Sequence, residues 1–196
     1  GQAKTALERN AAFERLASSR RSRKALRLEL AHAAYHSTWY LPAIRELAAR
    51  PDFRAKSEWI APRLRPPVAR ADVDKALEIL FDLGLLVRGK RGKVTQSEAI
   101  VTTGAETRGM HIANYHRMML DRAKESLDTV PAAERDVSAL TLCVGPEGLH
   151  AIKERIRRFR AELLELSALE QSPTEVVQIN FQLFPLTRTD PEEPRT

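Results

Sequence analysis

The stretch "KALEILFDLGLLVRGKRGKVTQ", Lys75 to Gln96, constrains this chain more than any other. Val73, Ala76, Leu77, Leu80 and Leu83 recur at helical spacing. Gly84 follows where a helix C-terminus favours glycine. The chain then reads strand, turn, strand, with Gly89 and Gly92 bending the loop between "LLV" and "VTQ". Arg88, Lys90, Arg91 and Lys93 crowd the tip of that hairpin. They suit either a phosphate-binding wing or a solvated basic turn.

Two more helices precede this element. "STWYLPAIRELAAR" reads as a helix stopped by Pro51, and "SEWIAPRL" as a short one with Ser57 as its N-cap. "RPPV" is a rigid turn. Three helices followed by a hairpin is the order of a winged helix, expected over residues 37–104. Residues 1–36 form a helical arm without proline or internal glycine, apolar on nearly every side from Leu26 to Tyr35.

Beyond the hairpin, residues 105–131 predict a connecting helix with Ile112, His116, Leu120, Ala123 and Leu127 as its inward stripe. Residues 132–188 predict a βαβ unit. "VSALTLCV" alternates apolar and polar residues, "PEGLHAIKERIRRFRAELLELSALEQ" is a helix opened by Pro146, and "EVVQINFQLF" alternates again. The two strands are expected to pair across the helix and to extend across a dimer. Residues 189–196 read as a disordered tail. The fold class is therefore α+β, mainly helical.

Six blocks carry a resemblance: "STWYLPAIREL", "EWIAPRLRPPV", "KALEILFDLGLL", "NYHRMML", "ERDVSALTL" and "VVQINFQLFPLT". In that order the chain resembles a bacterial family of transcriptional regulators. In that family an Xre-type helix-turn-helix comes first and a long C-terminal region of unknown function second. The resemblance implies transcriptional regulation in a bacterial cytoplasm. It also implies that "GQAKT" lies just after the family's N-terminal DNA-binding domain, so dimerisation or signal sensing is expected of this part.

Composition fits an anionic partner, with net charge +6 and a pI near 9.8. The start lacks the apolar core of a signal peptide. The one cysteine, Cys143, excludes an internal disulfide, and no cysteine pair offers zinc ligands. No glycine-rich phosphate cradle, nucleophile elbow or paired carboxylates stand out, so no catalytic residue and no cofactor is expected.

The expected DNA contacts are the wing cations together with Arg63, Arg65 and Arg70. They are expected to touch phosphates, because the exposed face of the third helix carries Asp72, Asp74, Glu78 and Asp82 against Arg70 and Lys75. A second basic run, Arg20, Arg21, Arg23, Lys24 and Arg27, is either an anion-binding arm or a solvated helix face. As an arm it would hold DNA or a small effector such as a cyclic dinucleotide. Arg155, Arg157, Arg158 and Arg160 read as an ordinary exposed helix face. His32 and His36 have helical metal-ligand spacing but lack a third ligand, and His116 reads as buried. Cys143 and Thr141, with Gln178, Asn180 and Gln182, would line either a small pocket, a solvated sheet face or a dimer seam. The expected partners are DNA, a second copy of the chain and a small-molecule effector.

Overall fold

A computed structural model describes residues 33–97 and 110–188. Residues 33–35 are helical, and five helices of a full turn or more follow: α1 (Tyr40–Leu47), α2 (Ser57–Ile60), α3 (Arg70–Asp82), α4 (Met110–Thr129) and α5 (Pro146–Ala168). Between α3 and α4 lie β1 (Leu86–Arg88) and β2 (Val94–Gln96), an antiparallel pair. The protein is mainly helical with a two-stranded sheet. No helix among the described residues is long and apolar enough to cross a membrane. The expected arm residues 20–27, His32, residues 105–109 and the tail 189–196 lie outside the described residues.

The chain divides into two compact units, one ending at Asp121 and including Gln171–Val176, the other made of Arg122–Glu170 and the chain from Val177. The first unit has the core. Leu41, Ile44, Ile60, Val73, Leu80 and Leu86 are its largest fully buried side chains. They come from α1, α2, α3 and β1, so three helices and the hairpin close around one cluster. Each such side chain contributes about 1.5–3 kcal/mol by leaving water.

The junction from α3 to β1 is set by Gly84, which has φ +67°. The Gly84 amide donates to the Phe81 carbonyl at 2.9 Å, and the Leu85 amide to the Leu80 carbonyl at 2.9 Å. These two bonds close a Schellman motif, satisfying end carbonyls of α3 and turning the chain into the strand. In β1 and β2 the register pairs Leu86 with Gln96, Val87 with Thr95 and Arg88 with Val94. Leu86 and Val94 face the core. A 3-10 turn, Lys90–Gly92, closes the tip, with Gly92 at φ +75° and the Gly89 amide donating to the Lys93 carbonyl at 2.7 Å.

Three local expectations change. Helix α1 begins at Tyr40, three residues beyond Ser37, and Ser57 is the buried first residue of α2 rather than its cap, which is Lys56. In α4 the buried residues are Ile112, Tyr115 and Met119, while His116, Leu120, Ala123 and Leu127 are exposed. The face is rotated because the His36 ring, itself buried, meets the Tyr115 ring edge-on at 4.8 Å.

The second unit differs more. Arg135 donates to the carbonyls of Ser126 and Leu127, at 2.8 and 2.5 Å, and to that of Val130, capping the end of α4. Pro146 occupies the first turn of α5, as expected. The βαβ expectation fails within this chain: neither "VSALTLCV" nor "EVVQINFQLF" joins a sheet, and β1–β2 is the only sheet among the described residues. No described residue of this unit is buried.

Candidate nucleic-acid interface

The hairpin is held at its base by a polar hub under α1. Arg45 lies on the buried side of that helix, among Leu41, Ile44 and Leu47, with its side chain 8% exposed. Its guanidinium donates to Glu46 at 2.6 Å, to the Ser97 carbonyl at 3.2 Å and to Tyr35. Gln96 answers from β2, donating to the Arg45 carbonyl at 2.8 Å and to Glu46 Oε2 at 3.0 Å. Gln96 of the hairpin's second strand and Ser97 just beyond it are thereby tied to α1, about fifty positions earlier. Burial pushes the Tyr35 phenol up, and pushes Tyr115 up to about 12.

From this base the hairpin carries its cations outward. Arg88, Lys90 and Lys93 are exposed, and Arg91 occupies the turn between Lys90 and Gly92. The Arg88 guanidinium lies over the Phe81 ring at 4.5 Å. That stacking steadies a long side chain without engaging its N–H donors. Among the described residues, Arg88, Lys90 and Lys93 form no ion pair.

Some cations elsewhere are matched with acids. Arg45 pairs with Glu46, Lys75 with Asp72, Arg122 with Glu125 and Arg157 with Glu154. Arg50 makes a two-pronged pair with Asp52 at 2.9 and 3.1 Å and donates to the Thr174 carbonyl at 2.5 Å. Those hydrogen bonds hold the Asp52 carboxyl below its ordinary range.

The other expected contacts separate into two groups. Arg63 lies over the Trp59 ring at 3.9 Å and donates to the Trp59 carbonyl at 2.7 Å, and Arg50 lies over the same ring at 5.4 Å. Trp59 thus gathers two cations, with Arg63 exposed. Arg65, exposed, precedes the Pro66-Pro67 turn, and Arg70, also exposed, opens α3. Along α3 the exposed side chains include Asp74, Lys75, Glu78 and Asp82. This surface is mainly acidic, as its sequence implied.

Sequence reasoning overlooked Arg45, Gln96 and Tyr35. A signal for Arg45 was present: it stands four residues after Leu41 and one after Ile44, on the apolar stripe itself. Cys143 is exposed, and Gln178 bonds to Asn180 Oδ1 at 2.9 Å.

The family model of a domain of unknown function, DUF4423, matches residues 19–186. No curated protein and no solved structure matches the chain.

Proposed function

The chain belongs to the DUF4423 family, and we propose that it is part of a bacterial transcriptional regulator acting as a homodimer. In this reading α1, α2, α3 and the hairpin form a winged helix whose wing holds the phosphate backbone of duplex DNA. One observation carries the reading: Arg88, Lys90 and Lys93 stand exposed together on one short hairpin, without acidic partners among the described residues. A solvated face usually mixes its charges, and an unmatched cluster on a rigid tip favours a polyanion.

Contact of this kind positions the protein without reading sequence. The acidic face of α3 supports that limit, since a helix in the major groove offers Arg, Lys, Asn or Gln to base edges. Arg63, Arg65 and Arg70 would extend the phosphate track. The same acidic face favours a second reading, in which the unit is a sensing or oligomerisation module for an anionic effector such as a cyclic dinucleotide.

Fluorescence anisotropy against a labelled random-sequence duplex at low salt distinguishes the two. The proposal expects binding that unlabelled duplexes of unrelated sequence compete away equally well. Absence of binding at low salt would remove DNA contact and leave the sensing module.

A further inference from the structure

The second unit carries many exposed apolar side chains and, among its described residues, no buried one. Leu140 is 87% exposed, Val177 71% and Leu186 74%. Helix α5 has no buried residue along its 23 positions, although Ile152, Ile156, Phe159 and Leu163 recur at helical spacing on one side. Around it run two segments whose sequences alternate like strands but which belong to no sheet. The second touches α5 where the Phe181 and Phe159 rings meet edge-on at 6.2 Å.

Three physical limits narrow what covers this surface. A soluble monomer rarely exposes an apolar patch beyond about 300–600 Å². The side chains exposed here amount to roughly 1,000 Å² or more, the per-partner scale of a stable homodimer. A lipid surface is a poor cover, because backbone outside helix or sheet cannot leave its polar groups unsatisfied in hydrocarbon. A covering partner must therefore bring strands. Two strands per chain make a marginal sheet, whereas two copies supply four, enough to support a sheet packed on helices. A two-fold axis also presents each segment with its own complement.

We propose that residues 137–144 and 177–184 become strands by pairing with the same segments of a second copy of this chain. The four strands form one intertwined sheet, and α5 of each copy lies on its apolar side. This inference specifies the homodimer of the proposed function and is independent of DNA contact by the hairpin.

The test combines sedimentation velocity of the full chain, amide hydrogen exchange, and NOEs in a dimer reassembled from isotope-labelled and unlabelled copies. The proposal expects a dimer and amides of both segments protected at least about a hundredfold. It also expects NOEs between copies from the methyl groups of Leu142 or Ile179. Ile179→Asp should abolish both protection and dimer. A monomer, whether its segments are protected or not, would overturn the inference and the homodimer together. A dimer whose segments exchange freely, or which lacks NOEs between copies there, would overturn the intertwined sheet alone. Neither result bears on DNA binding, which is read separately by anisotropy.

Discussion

Arg45 and Gly84 show how much of the hairpin's placement rests on single residues. Gly84 has φ +67° with open space where a Cβ would stand, so substitution there costs backbone strain without a clash. Gly84→Ala should lower stability by about 1–2 kcal/mol, measured by urea denaturation. Arg45 was legible only in part. Its position on the apolar stripe of α1 marked it as inward, but its partners Gln96 and Ser97 lie some fifty residues away, a distance that local pattern does not encode. The buried phenol of Tyr115 gives a prediction in pH. With its value raised from 10.0 to about 12 by burial, the folded state keeps a proton that the unfolded chain releases. Its contribution is complete below pH 10 and is lost as pH rises toward 12, at about 1.4 kcal/mol per unit. Denaturant midpoints measured across that range should fall accordingly, with less fall in Tyr115→Phe.

Among the elements, α3 and the hairpin were legible because every signal they use is local. The apolar repeat from Val73, the glycine at the helix end and the second glycine in the turn each act within a few residues. The phase of α4 was less accessible. Spacings of three and four residues both place side chains on one helix face, and the meeting of His36 with Tyr115 selects Ile112, Tyr115 and Met119 over the set containing His116. The pairing of the C-terminal segments within the chain was misjudged for a deeper reason. Alternation records what a segment is built to face when paired, and pairing needs a neighbour that the sequence pattern does not identify. The acidic face of α3 yields a prediction of its own. If that face is a scaffold lying near bound DNA, Asp74→Lys with Glu78→Lys should tighten binding to random duplex by several-fold at low salt, read by anisotropy. The core residues Val73, Ala76, Leu77 and Leu80 are untouched by the change, so the helix should persist.

For the whole molecule, the unmatched charge of the hairpin tip sets the expected behaviour. A wing that clamps the backbone through Arg88, Lys90, Arg91 and Lys93 releases counterions from about four phosphates, a log–log salt slope of roughly −3.6 from this element. Because Lys90 and Lys93 have no acidic partner among the described residues and Arg88 gives up only an exposed stacking contact on Phe81, worth about 0.5–1 kcal/mol, replacing the four should leave the fold intact. The most direct measurement is the salt dependence of duplex affinity for the natural chain beside the variant carrying alanine at all four positions. The slope should flatten by three to four units, about one for each lost phosphate contact. Equal slopes for the two proteins would contradict the wing as a phosphate clamp.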